Sequence, residues 1–379
     1  MSSVLVKPVA TGREKKQFLE LPWTIYRDVP QWVPPLRMNQ KEMVNFSRCP
    51  FYDVASIQTF LAYRDGVPCG RIAAIDNPEH NRRYPEDQRG FLGFFESIDD
   101  QQVAHQLFDA ARHWLEGRGH RMLRGPINPS LNYEVGLLIE GFDLPPTFMM
   151  TYNRPYYQRL WEEYGFTKAQ DLYAFAGNVT KLESPDPKYR LIYDECLRRF
   201  QPKMRTLDRS RFMDDVRMFL DIYNRSLVST WGFVPLSPAE VDHLAKALRY
   251  LIIPEMTCVV EIEGRPVAAV FGLLDYNPII KQIDGRLFPF GFLKLFFKRR
   301  HIRRVRLMST NILPEYQHWG LGLVATSQLI PKGLEMGLEE AEFSWVLESN
   351  HLSRKTLERA GIDREKTYRV FDYLPNSIG

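Results

Sequence analysis

The stretch Leu313 to Ile330, LPEYQHWGLGLVATSQLI, places Gln317, Gly320 and Gly322 just ahead of an apolar helical run. That spacing could cradle a phosphate group. A diphosphate needs several N–H donors converging with no side chain in the way, and a helix amino terminus supplies the donors and a positive dipole end. Glycine allows the backbone to approach that closely. A turn that merely starts a helix would also use glycines, and local spacing alone leaves both accounts open. A second run, EAEFSWVLESN from Glu340 to Asn350, alternates as a strand, with Glu342, Ser344 and Glu348 on one face and Phe343, Trp345 and Leu347 on the other. A carboxylate near the strand end could move a proton as a general base, or could be a surface or paired acid.

These groups need a sheet and helices to hold them, and the chain supplies that scaffold twice. In the first half SIQTFLAYRDGVPCGRIAAID reads as a hairpin turning at Asp65-Gly66, and in the second CVVEIEGRPVAAVFGLLD turns at Glu263-Gly264. Each hairpin is followed by a strand, a helix and another strand: GFLGFFE, DDQQVAHQLFDAARHWLEGRG and HRMLRGPIN, then RRVRLMSTNIL, GLGLVATSQLIPKGLEMG and EAEFSWVLESN. Both halves add a short helix ending in glycine, YYQRLWEEYGF and HLSRKTLERAG, and a final apolar run. The pattern is an internal duplication of a mixed α/β unit. Val103, Leu107, Ala110, Ala111 and Trp114 give the first-half helix one apolar face. Pro331 should kink or shorten its second-half counterpart.

Pro185, Pro187 and Pro202 punctuate a polar segment between the copies. The expected division is therefore 1–178, a linker 179–202 with one short helix, and 203–379. At 379 residues, 44% hydrophobic and 25% charged, the chain has the composition of a globular protein long enough for two cores. Cys49, Cys69, Cys196 and Cys258 are widely spaced, and MSSVLVKPVATGREKKQF lacks a secretory hydrophobic region, so a reducing, cytoplasmic compartment is expected. The histidines show no zinc-like spacing, and no metal is expected. A net charge of +4 does not imply nucleic acid.

With the duplication in view, the second half resembles the GNAT superfamily of acyl-CoA-dependent N-acyltransferases. Gln317-His318-Trp319-Gly320-Leu321-Gly322 fits the family pattern (Gln/Arg)-x-x-Gly-x-(Gly/Ala) between a strand and a helix, LPEY matches its lead-in, and Glu340 to Leu347, Asn350 and Gly361 follow in the family order. The first half resembles the family by topology. The whole chain, including VPQWVPPL, GFFESIDD and YNRPYY, is similar to bacterial tandem-GNAT proteins, a group related to bacterial ceramide synthases, which acylate a sphingoid amine. The resemblance implies tandem folds, each a twisted mixed sheet flanked by helices. It implies acyl-CoA as co-substrate, held by Ile312, Leu313, Gln317, His318, Trp319, Gly320, Leu321, Gly322, Leu323 and Asn350, and direct attack by a primary amine on the thioester.

An ammonium has no lone pair, so a base is needed: Glu348 is the first candidate and Glu342 the second. Many family members carry a tyrosine in the helix after the asparagine, where it protonates the departing thiolate. Leu357 stands at that position here, and Tyr368 on the terminal run could substitute, although an aromatic on a strand also serves packing. In the first half Glu96, Asp99 and Asp100 stand where the cradle would fall; acids suit a helix start as caps but repel a diphosphate, so no CoA is expected there. Loop turns explain Asn128, Ser130, Asn132, Tyr152, Asn153, Tyr156 and Tyr157 as well as recognition does. Trp231 and Phe233 could line a lipid pocket or plug the core.

Finally, RLFPFGFLKLFFKRRHIRR, 286–304, sets five phenylalanines among Lys294, Lys298, Arg299, Arg300, Arg303 and Arg304 with no acid. Such a segment suits a lipid headgroup boundary, making peripheral contact with the inner face of a membrane one expectation, or it is a buried insertion with a basic rim. No other basic stripe supports nucleic acid. Two rival functions remain: a non-catalytic acyl-CoA-binding, lipid-binding or scaffold protein, and an aminoacyl-tRNA-using tandem GNAT, against which the retained Gln-x-x-Gly-x-Gly loop argues.

Overall fold

The computed structural model describes residues 3–182 and 187–375. Pro185, one of the prolines marking the expected linker, lies outside the described residues. The first copy runs β1 (Val4–Pro8), α1 (Gly12–Ile25), α2 (Arg37–Met43), β2 (Ser56–Arg64), β3 (Val67–Asp76), α3 (Pro78–Arg83), β4 (Gly90–Ser97), α4 (Gln101–Glu116), β5 (Leu123–Gly125), β6 (Ile127–Asn128), β7 (Glu134–Val135), β8 (Leu137–Glu140), α5 (Tyr157–Tyr164) and β9 (Thr167–Asn178). The second runs α6 (Pro187–Phe200), β10 (Lys203–Arg205), α7 (Phe212–Ser226), α8 (Pro238–Leu248), β11 (Thr257–Ile262), β12 (Arg265–Leu274), α9 (Asn277–Gln282), α10 (Gly291–Lys298), β13 (Arg304–Ile312), α11 (Leu321–Ser327), α12 (Leu329–Glu335), β14 (Glu340–Leu347), α13 (His351–Arg359) and β15 (Asp363–Tyr373).

Two compact units result, and their bounds differ from the division read in the sequence. The first unit contains Met1–Leu172, Asn277–Leu295 and Lys366–Gly379; the second contains Tyr173–Tyr276 and Phe296–Glu365. Residues 277–295 and 366–379 thus leave the second copy for the first unit. The reason is backbone pairing and anchoring. β15 pairs antiparallel with β5, Phe371 opposite Gly125, and with β8, Tyr368 opposite Leu138. Asp284 accepts from Trp23 and Arg37, and the Arg37 N–H donates to the Gly285 carbonyl. The supposed linker also has a structural place: α6 buries Tyr189 and Cys196 within the second unit.

In the first unit β1, β2, β3 and β4 pair antiparallel and β4 pairs parallel with β5. Asp65 and Gly66 both take positive φ, the two-residue hairpin geometry that matches strand twist. Glu263 and Gly264 do the same between β11 and β12 in the second unit, where β10 to β13 pair antiparallel and β13 pairs parallel with β14. Val103, Leu107 and Ala111 of α4 are fully buried against Ile72, Ala74 and Leu92, with Ala110 and Trp114 at the edge. Both copies also carry one extra residue at the same place. β4 bulges opposite Arg71 to Ala73, and β13 bulges at Met308 opposite Phe271 and Gly272. Pro331 splits the second-half helix: α11 ends at Ser327 and α12 starts at Leu329, leaving Pro331 in a first turn, where its missing N–H is unneeded.

Candidate functional site

The bulge precedes a divergence of strands. Parallel pairing of β13 with β14 runs from Arg304 opposite Glu340 to Leu307 opposite Phe343, although β13 continues to Ile312 and β14 to Leu347. The strands splay there, and the glycine loop begins where β13 stops. Leu313 is buried and its N–H pairs with the Val267 carbonyl, which fixes the strand end. Gln317 is a clamp: its Nε2 donates to the carbonyls of Ile312, at 3.1 Å, and Ser226, at 3.0 Å, tying the strand to the end of α7.

Gly320 is the residue before α11 and has φ +85°, the left-handed region that glycine adopts without strain. A Cβ on Gly322 would lie 2.9 Å from Ile312 Cδ1, so this glycine lets α11 approach β13. Each glycine therefore has a structural reason as well. What marks the loop as more than a turn is its donors. Among the described residues the N–H groups of His318, Gly320, Leu321, Gly322 and Leu323 donate to no protein acceptor, and no side chain caps the helix. These are free helix-start donors that an anionic group can fill. The loop's outer side is lined by α6. A Cβ on Gly320 would come within 2.5 Å of Ile192 Cγ2, Arg199 stacks 3.8 Å from the Trp319 ring centroid, and Phe200 meets Trp319 and Tyr316 edge-on. Sequence reading had no signal for that helix in this place.

The first unit fills the equivalent positions with its own atoms. Asp100 Oδ1 accepts from the N–H groups of Gln102, at 2.8 Å, and Val103, at 3.3 Å, while Oδ2 accepts from Arg64 at 2.7 Å. The splay between β4 and β5, whose pairing ends at Phe91 and Arg124, is closed by β6. Asn128 Oδ1 accepts from the Phe94 N–H at 2.6 Å, and a Cβ on Gly93 would lie 2.2 Å from the Ile127 carbonyl oxygen. Glu96 is bonded by Tyr26, at 2.6 Å, and Tyr157, at 2.8 Å, with Arg71 at 3.5 Å. Burial raises its pKa, against the opposing pull of Arg71 and the two hydroxyls. Asn153 bonds both the N–H and the carbonyl of Leu138, and Tyr156 donates to the Ser97 carbonyl, so these polar loop residues hold the fold.

The proton-transfer candidates separate. Glu342 is 1% exposed and locked: Oε1 accepts from Ser344 at 2.7 Å and Oε2 from Arg304 at 3.0 Å. Arg304 also pairs with Glu340 and Glu365; burial lowers its pKa, but these carboxylates, Glu342 foremost, raise it overall. Arg306, 2% exposed, donates to Ser344 Oγ at 2.8 Å. This buried chain was missed, although the alternation that put Glu342 and Ser344 on one face was a signal for it. Glu348 lies just beyond β14, half-buried, its carbonyl accepting from Arg354 at 2.9 Å. Asn350 caps α13 by accepting from the Ser353 N–H at 3.1 Å. Leu357 packs in a core with Tyr173, Phe175, Val346 and Ile362. Tyr368 is fully buried and belongs to the first unit, opposite Leu138, whereas Glu348 belongs to the second. Phe233 is buried against Tyr223, which plugs the core.

The duplicated mixed sheet, its shared bulge and the splay before a glycine loop define the class as a tandem GNAT fold. A tandem GNAT protein from the clavulanic acid biosynthesis pathway superimposes over 99% of this chain and 100% of its own, with a TM-score of 0.56 at 9% identity. No family model matches the chain. It is 34% identical over 379 residues to the bacterial ceramide synthase of Caulobacter vibrioides (strain NA1000 / CB15N), covering 97% of this chain and 96% of that protein. It is 33% identical over 374 residues to Protein YghO of Escherichia coli (strain K12), covering 97% and 95%. The chain belongs to the bacterial family that these two proteins represent.

Proposed function

We propose that the protein is an acyl-CoA-dependent N-acyltransferase whose second unit binds the co-substrate and whose acceptor is a long-chain amine of the sphingoid type. The observation that carries the first part is the set of unclaimed N–H groups at His318 and Gly320 to Leu323, beside the splayed end of β13. The acceptor rests on near full-length similarity to a protein named a ceramide synthase.

In this reading the loop N–H groups receive the diphosphate, and the exposed edge of β13 beyond Leu307 aligns the pantetheine arm. Acyl-CoA supplies the thioester. Glu348, half-buried at the strand end, takes a proton from the attacking nitrogen directly or through a water. The new bond is C–N, the broken bond is C–S, and CoA leaves as a thiolate that takes its proton from solvent or a nearby hydroxyl. Glu342 has a different task, because its oxygens hold Arg304 and Ser344. The deciding experiment mixes the purified protein with short- and long-chain acyl-CoAs and an amine panel that includes sphingoid bases, and follows free thiol. Thiol release that depends on a long-chain amine is expected. Acyl-CoA binding with no thiol release from any amine would leave a binding or scaffold protein, and RNase-sensitive activity would point to an aminoacyl-tRNA donor.

A further inference from the structure

α10 is built inside out. Phe292, Leu293, Phe296 and Phe297 share one side of the helix, and all are exposed. No residue of α10 is buried. Phe288 and Phe290, in the turn before it, are 69% and 70% exposed, and Phe296 and Phe297 are 58% and 64% exposed. Single exposed apolar residues are ordinary, but six large ones in one short segment are a patch that needs a partner. Among the described residues their ring contacts are with each other and with a cation: Phe288 on Phe292, Phe296 on Phe297, and Arg299 over Phe296.

The charges beside them narrow the partner. Arg303 donates to the Gly337 carbonyl and Arg304 is held by three glutamates, so neither belongs to the patch as the sequence pattern had it. Lys294, Arg299 and Arg300 remain, with no ion pair among the described residues, and the segment 286–304 contains no acid. An apolar ridge edged by unpaired cations complements a surface that is greasy below and negative above. Among the described residues no helix is long and apolar enough to cross a membrane, so the fit is to a bilayer surface. We infer that the segment Phe288 to Arg300 is a membrane-docking element that seats its phenylalanines at the headgroup boundary of an anionic lipid bilayer. This role is separate from acyl transfer and is read without CoA or amine.

The test is co-sedimentation of the full-length protein with vesicles of phosphatidylcholine alone or mixed with phosphatidylglycerol, at low and physiological salt. The wild type is expected to bind the anionic vesicles, more weakly as salt rises. Replacing Phe288, Phe290, Phe296 and Phe297 together with serine should weaken that binding on the order of a hundredfold. Lys294→Gln with Arg300→Gln should weaken it about tenfold while leaving the apolar ridge intact. Because these lysine and arginine side chains are exposed, the charge pair tests the idea even where the fourfold variant does not fold. Absence of wild-type binding at low salt overturns the proposal, as does full binding by either variant. A wild type that dimerises through the ridge, becomes monomeric in the serine variant and ignores vesicles overturns it in favour of a second copy.

Discussion

The two units carry the same hairpin turn, the same bulge and the same strand-to-helix corner, yet differ in what fills the corner. In the first, Asp100 gives its carboxylate to the helix N–H groups, and Asn128 with the Ile127 backbone closes the strands. In the second, no side chain caps α11 and the strands part after Leu307. One copy has satisfied its polar groups internally. The other leaves the N–H groups at the start of α11 unclaimed, where the proposed diphosphate would sit. Duplication thus provides an internal control: a fold's binding site is defined by which of its helix-start donors the chain declines to satisfy.

The sharpest attack on that comparison is on the chemistry. Glu348→Gln should lower turnover about a hundredfold or more while acyl-CoA affinity stays unchanged, as expected for loss of a general base. Glu96→Gln, at the largely covered carboxylate of the first unit, should leave turnover intact in whatever fraction stays folded. Steady-state thiol release and calorimetric binding check both, and a fully active Glu348→Gln protein removes that residue from the mechanism. The next largest effect comes from making the second corner resemble the first. Gly320→Asp would bring a carboxylate to the helix start, and acyl-CoA affinity should fall about a hundredfold, equivalent to about 2.7 kcal/mol. Unchanged affinity would end the diphosphate assignment.

A smaller effect is expected from reopening the first corner. Asn128→Ala leaves the Phe94 N–H without its acceptor and should cost about 1 to 3 kcal/mol of stability without creating CoA binding, measurable by denaturant unfolding and by titration. Gain of CoA affinity would mean that the plug, and not Asp100, is what keeps the first unit inactive.

How much of this could be read in the sequence follows from the range of the interactions. Asp65-Gly66 and Glu263-Gly264 are adjacent residues in a turn, and Gln317 to Gly322 is a local pattern, so the hairpins and the loop were legible. The capping role of Asp100 was legible for the same reason, since the N–H donors it accepts from lie two and three residues on. The assignment of β15 was not, because its place depends on pairing Phe371 with Gly125, far apart in the chain. Likewise Arg304 looked like part of a basic patch until the parallel register put it beside Glu340 and Glu342. The contact of Ile192 with Gly320 has no periodic signature at all.

Asp100 offers the finest discrimination, through pH. Burial alone would raise its pKa, but the Arg64 guanidinium and the N–H groups of Val103 and Gln102 outweigh that and hold it below the ordinary 3.8. A carboxyl with a lowered folded-state pKa contributes stability above its unfolded-state value and loses that contribution as pH falls through the folded one. Asp100→Asn keeps a cap oxygen but removes the charge that Arg64 and the helix start favour, so the variant should be less stable at neutral pH by about 1 kcal/mol. The gap should begin to close as pH drops toward 3.8 and vanish below the lowered value, as both proteins then carry a neutral cap. Urea unfolding of the two proteins from neutral pH downward measures it. A gap that ignores pH would mean that Asp100 acts only as a hydrogen-bond acceptor, and the contrast with the second unit would then rest on the shape of the Gly320 corner instead of its charge.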